Sequence, residues 1–217
     1  MTTPIRIDIV SDVVCPWCIV GFRQLEQAVA QTGIDAVVYW HPFELNPDMV
    51  PEGENLRDHI MRKYGSTAEQ SAKARENLQN IGTPLGINFA FSDDARIYNT
   101  FQAHQLLHWA QTFEKSHELK LALFNTYFEQ GKDVSNSDVL LDAVASVGLD
   151  RDEAAEVLKD GRFADIVREK EQFWTSRGVS GVPTMVFDQR HATSGAQGVD
   201  TFANILTQLS QAREAAS

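Results

Sequence analysis

The 217-residue chain contains only two cysteines, Cys15 and Cys18. That excludes a scaffold stapled by several disulfides, and a chain of this length can bury a core without one. It is also poor in basic residues: 19 Lys and Arg stand against 30 Asp and Glu, a formal charge of −11, with no basic run. Binding through a phosphate backbone needs clustered cations, so no nucleic-acid partner is expected. No stretch approaches the roughly 20 apolar residues that span a bilayer. "MTTPIRIDIVSDVV" is interrupted by Arg6 and Asp8 and reads as neither leader nor anchor. No membrane partner is expected, and the cytoplasm is the expected compartment. A permanent structural disulfide is disfavoured there.

The two thiols stand three apart in "SDVVCPWCIV". "IRIDIV" (5–10) alternates with period two and reads as a strand. A helix follows, with Pro16 in its first turn, Phe22, Leu25, Ala28 and Val29 on one face, and Gly33 as its stop. "DAVVYWHPFEL" (35–45) reads as a second strand, and 46–55 as a polar loop. From Leu56 to about Gly178 the pattern is helical, with segments at 56–64, 67–81, 97–115, 117–130, 137–147, 151–159 and 163–177. Ser137 and Asp150 are the expected N-caps. "PTMVFDQ" and "HATSG" read as a hairpin, 199–213 as a last helix, and "EAAS" as a fraying tail. The fold class is therefore α/β: βαβ, a large all-helical insertion, then ββα. The two ends form one sheet of four or five strands. Residues 1–45 and 179–217 make one domain, and 46–178 the helical one.

The cysteines fall where the first strand becomes the helix. A helix N-terminus stabilises an anion. Cys15 is therefore expected to be an exposed thiol of lowered pKa, and Cys18, one turn on, to be buried and able to close a ring with it. A C-x-x-C beside a βαβ pattern reads as a redox dithiol. Zinc is the first alternative: His104 and His108 stand i, i+4 and with the cysteines would make a Cys₂His₂ set. A compact zinc module keeps its pairs closer, and Gln105 breaks the metalloprotease pattern, so no metal is expected. Two incidental buried cysteines are the plain alternative. Val182-Pro183 precedes an apolar strand, where a proline is tolerated and its peptide bond can be cis or trans.

"CPWC" after a first strand, a helical insertion, and "GVPT" opening the third strand resemble the DsbA family of the thioredoxin superfamily. "WHPFELNPDM", "NTFQAHQLLHWA" and "SGAQ" are similar to its cytosolic FrnE-like branch. The resemblance implies a thioredoxin fold with thiol–disulfide oxidoreductase or isomerase activity. It implies Cys15 as nucleophile, Cys18 as resolving thiol, Pro16 and Trp17 as the intervening motif, and Pro183 as a cis-proline beside Val182, whose backbone pairs with substrate. His41, Asn99 and His104 are candidates for a substrate groove; Trp40, Phe43 and Trp109 read as core, and Ser194 and Gln197 as capping residues. Partners would be disulfide- or thiol-containing proteins or small thiols, with glutathione as redox co-substrate and no bound cofactor. A monomer and a homodimer both fit. Trp17 stands where periplasmic members carry His, so the Cys15 pKa is expected above their roughly 3.5 and the potential below about −120 mV. The alternatives are a glutathione-dependent isomerase or transferase of the 2-hydroxychromene-2-carboxylate isomerase and kappa-class type, and a redox sensor without turnover.

Overall fold

The computed structural model describes residues 3–215. Strand β1 (Ile5–Ser11) is central. It pairs in parallel with β2 (Ala36–Pro42), Ile5 opposite Ala36, and antiparallel with β5 (Thr184–Phe187), Ile7 opposite Phe187. Strand β6 (His191–Ser194) closes the hairpin with β5, giving the order β2-β1-β5-β6. A strand with neighbours on both sides and helices over the sheet is largely buried, and in β1 only Arg6 is partly exposed. Ile5, Ile7, Ile9 and Val10 are inaccessible, and so is Asp8, at the polar position of the alternation.

Helix α1 (Pro16–Thr32) starts directly after Cys15 and ends at Gly33, whose φ of 64° lets its N–H return to Val29 O. It packs against the last helix, α9 (Val199–Ala215). Of the expected fraying tail, Glu214 and Ala215 continue α9, and Ala216 and Ser217 lie outside the described residues.

The intervening segment holds α2 (Leu56–Tyr64), α3 (Ala68–Gly82), α4 (Phe101–Ala110), α5 (Ser116–Phe124), α6 (Ser137–Ser146), α7 (Arg151–Asp160) and α8 (Ala164–Thr175). It is not wholly helical. A two-residue ladder joins β3 (Glu54–Asn55) to β4 (Arg96–Ile97), where the Arg96 guanidinium donates to the carbonyls of Glu52 and Gly53. Helix α4 therefore starts at Phe101 rather than 97, its first N–H taken by Asn99 Oδ1 at 2.9 Å. Asp150 caps α7 as expected, accepting from Glu153 N–H at 2.8 Å. Ser137 does not cap α6; Asn136 does, because its side-chain oxygen reaches Val139 N–H. Helices α5 and α8 both pack on β2, and one buried cluster runs from the strands into the helices. Among the described residues no helix is long and apolar enough to cross a membrane.

Candidate active site

Cys15 is the N-cap of α1, with extended backbone (φ −89°, ψ 112°) and Pro16 as the first helical residue. Its N–H meets Asp12 O at 3.3 Å, and Cys18 N–H returns to Cys15 O at 3.0 Å, which fixes the second thiol one turn along. Both thiols are free. The Cys15 thiol donates to Val182 O at 3.5 Å. The Val182–Pro183 peptide bond is cis, and Pro183 O accepts from Gly195 N–H at 2.8 Å. So the fold brings together Cys15, Cys18, Val182 and Pro183 from chain segments 167 residues apart. Trp17 projects outward, 39 % exposed. Gly21 rides close to this corner: a Cβ there would lie 3.2 Å from Met185 Cε and 3.3 Å from Pro183 Cγ.

One expectation is overturned. Cys15 is 4 % exposed and Cys18 is fully buried. A hydrogen bond shared with Cys18 and burial push the Cys15 thiol well up, not down, and the nearby charges of Cys18 and Asp12 act the same way. The Cys18 N–H opposes this but does not win. The helix N-terminus is where the sequence put it; the contact with Cys18 and the loss of water together outweigh it.

Two charged side chains lie under the dithiol that sequence reading did not single out. Asp12 is 1 % exposed. Burial alone would raise its carboxyl, but His104 and the Leu45 N–H (2.8 Å) hold it below its usual value. Lys120, on α5, is also 1 % exposed. Its ammonium reaches Ser11 O at 3.5 Å and lies 4.9 Å from the Phe124 ring and 5.4 Å from that of Trp40. Burial brings it down to about 8, against the opposing pull of Cys18, Asp12 and Cys15. A signal for Lys120 was present: it stands in helical register with Leu123, Phe124 and Tyr127, all buried.

Cys15 opens on a cavity of about 530 Å³ between the α1 corner and the segment carrying α2, α3 and β4. Pro16, Trp17 and Val182 line it on one side, and Leu56, Ile60 and Leu78 on the other. None of His41, Asn99 and His104 lines it. His41 Nε2 is held by Asp8 Oδ1 at 2.7 Å with its ring against Trp174. Asn99 bonds Glu44 and Pro47 O and starts α4. His104 is buried and faces Asp12 Oδ1 at 3.4 Å. The proposed zinc partner His108 meets Lys170 Nζ at 3.0 Å. Trp40 and Trp109 are core, and Phe43 is half-buried. Gln197 donates to Ser194 O at 2.5 Å, while the N–H of Gly198, before α9, is met by Gln24 Oε1.

The model of the DSBA-like thioredoxin domain matches residues 6–207. The chain is 26% identical over 204 residues to the uncharacterized protein YwbO of Bacillus subtilis, covering 94% of this chain and 96% of that one. Among solved structures, a probable DsbA oxidoreductase from Streptomyces coelicolor superposes with a TM-score of 0.87 at 31% identity, over 94% of this chain and 89% of that chain. A 2-hydroxychromene-2-carboxylate isomerase superposes with a TM-score of 0.71 at 16% identity, over 98% and 99% of the two chains, a likeness of fold.

Proposed function

The chain belongs to the DsbA-like thioredoxin-domain family, and from that premise we propose that it is a thiol–disulfide oxidoreductase or isomerase in which Cys15 attacks and Cys18 resolves. The observation that supports this most is the Cys15 thiol itself. It caps α1, opens on the cavity, and touches the Val182 carbonyl, while the second thiol sits one turn behind it.

The chemistry runs in two displacements. The Cys15 thiolate attacks one sulfur of a substrate disulfide, forms a mixed disulfide and releases the other sulfur as a thiolate. Cys18 then attacks Cys15 Sγ, closes the ring and releases the second thiol. Val182 presents its backbone to the substrate beside the attacking sulfur. The buried ammonium of Lys120 favours the thiolate, and the Asp12 carboxylate opposes a second negative charge. In this reading Pro16 and Trp17 hold the turn between the thiols, glutathione serves as one redox co-substrate among small thiols, and thiol- or disulfide-containing molecules are the partners. The compartment is the cytoplasm, in keeping with the FrnE-like branch.

The test is a titration of the pair against glutathione redox buffers, read by alkylation of free thiols, with Cys18→Ser as control. A reversible two-electron transition between about −280 and −120 mV is expected, and below about −120 mV because the Cys15 thiolate is disfavoured. No transition in that window would remove the reading. The second reading is a glutathione-dependent isomerase, favoured by the small-molecule size of the cavity at Cys15. It needs no second thiol, so its turnover would survive Cys18→Ser.

A further inference from the structure

We infer that the cavity at Cys15 selects low-molecular-weight disulfides with an apolar, aromatic body over glutathione disulfide and peptide disulfides. The inference rests on the reading of Cys15 as nucleophile. Displacement at sulfur is collinear, so the leaving sulfur and its substituent lie directly ahead of the attacking atom. Cys15 is almost wholly buried, and the space it faces is this cavity. The substituent is therefore solvated by the lining rather than by water.

That lining is apolar where it surrounds the space: Leu56 and Ile60 on α2, Leu78 on α3, and Phe91, Tyr127 and Phe128 beyond them. Its volume, about 530 Å³, falls in the range of sites that bury most of a drug-sized ligand. Of the charged side chains at its edge, His59, Arg75 and Arg96 are engaged within the protein, and Asp94 adds a negative charge to the rim. His59 is held by Glu54 and Asn46, at 2.6 and 3.0 Å. Arg96 donates to the carbonyls of Glu52 and Gly53, and Arg75 to Ser92 O, with Asp93 3.7 Å away. Glutathione disulfide would bring several carboxylates and peptide groups into this space, and stripping them of water without new partners is costly. An aromatic ring loses nothing and gains its hydrophobic transfer.

The reaction balances without a further reagent in one turnover. The Cys15–sulfur bond forms as the substrate S–S bond breaks, and the leaving thiolate takes a proton from water. Attack by Cys18 then forms the Cys15–Cys18 bond and releases the second thiol. The protein loses two electrons and the substrate disulfide gains them.

The test is single-turnover oxidation of the reduced full chain by dipyridyl disulfide, hydroxyethyl disulfide and glutathione disulfide. Each rate constant is divided by that of free dithiothreitol with the same reagent, which removes intrinsic reactivity. The expected normalised rate for dipyridyl disulfide is roughly tenfold or more above that for glutathione disulfide. Dipyridylethane, its carbon isostere, should inhibit the reaction saturably. Equal normalised rates, or no inhibition by the isostere, would overturn the inference while leaving the dithiol reading intact. Failure to react with any of the three would remove both.

Discussion

The ammonium of Lys120 lies 3.5 Å from the carbonyl oxygen of Ser11, at the end of β1, in a position water does not reach. This lysine comes from the helical segment, yet its charge faces the strand that leads into the dithiol. Burial lowers it from 10.5 to about 8. In the unfolded chain it binds its proton up to the higher value, so between about pH 8 and 10.5 the unfolded state holds more protons and stability rises with pH. Comparison with Lys120→Met isolates this term. From pH 8 to 10.5 the native protein should gain about 3 kcal/mol relative to the variant. Parallel urea-midpoint curves for the two across that range would show that the ammonium is not desolvated.

The Cys15 thiol is pushed up by its shared hydrogen bond with Cys18 and by burial. Only the thiolate attacks, so the observed rate follows its fraction. The rate of exchange with dipyridyl disulfide should therefore climb steadily through pH 7 to 9. A thiol of the strongly activated kind would give a plateau from about pH 5 upward. Stopped-flow rates across that interval decide between them, and an early plateau would overturn the burial argument.

With Cys18 one turn behind Cys15 and fully buried, the second thiol has only the first within easy reach. Cys18→Ser should still form a mixed disulfide on Cys15 but should not resolve it, so turnover falls by orders of magnitude while the adduct accumulates. Cys15→Ser should form no adduct. Mass spectrometry of the intact protein after a pulse of disulfide reads both. An adduct on Cys18 in the Cys15→Ser protein, at the native rate, would reverse the assigned roles.

The sequence made the dithiol and the proline legible because each leaves a local mark: a strand-to-helix junction, and a proline where a strand must begin. Element types were legible from periodicity for the same reason. Long-range burial was not. Asp8 reads as the polar face of a half-exposed strand, but β1 is central, and Arg6 and His41 satisfy the carboxylate inside. His41, Asn99 and His104 sit in segments that mark the family, yet His41 and Asn99 hydrogen-bond Asp8 and Glu44, and His104 is buried facing Asp12. The cavity is built from helices α2 and α3, whose polar outer faces dominate the sequence pattern. Nothing local tells that Leu56 and Ile60 face Cys15. The Cys15 pKa escapes the sequence for a related reason: the helix end is a local feature, whereas the Cys18 contact and desolvation depend on everything packed around the thiol.

Asp8 provides an acid-range prediction. Burial alone would raise its carboxyl, but hydrogen bonds from Arg6 and His41 bring it down to about 2. A depressed carboxylate stabilises the fold above its unfolded value near 3.8, and that contribution is lost as pH falls toward 2. Allowing for partial solvent screening, it amounts to about 1 kcal/mol. Asp8→Asn should lose stability at pH 7 and show a correspondingly shallower decline from pH 4 to 2. Equal slopes for the two proteins in acid denaturation would show that the Arg6 and His41 contacts contribute nothing.

Gly21 tests whether α1 holds the proline corner in place. A glycine inside a helix costs about 1 kcal/mol relative to alanine, so Gly21→Ala would stabilise the protein if there were room for the methyl group. The added Cβ would lie 3.2 Å from Met185 Cε and 3.3 Å from Pro183 Cγ. The methionine methyl can swing aside, but the proline ring is fixed in the chain and its neighbour Val182 touches the Cys15 thiol. Overpacking of this kind costs about 1–3 kcal/mol, which outweighs the helix gain. Gly21→Ala should therefore lower the urea midpoint, for a net loss of about 1 kcal/mol. It should also slow exchange at Cys15 by displacing Val182. A stabilised variant with native exchange rates would mean that the helix can shift away from the proline without disturbing the thiol.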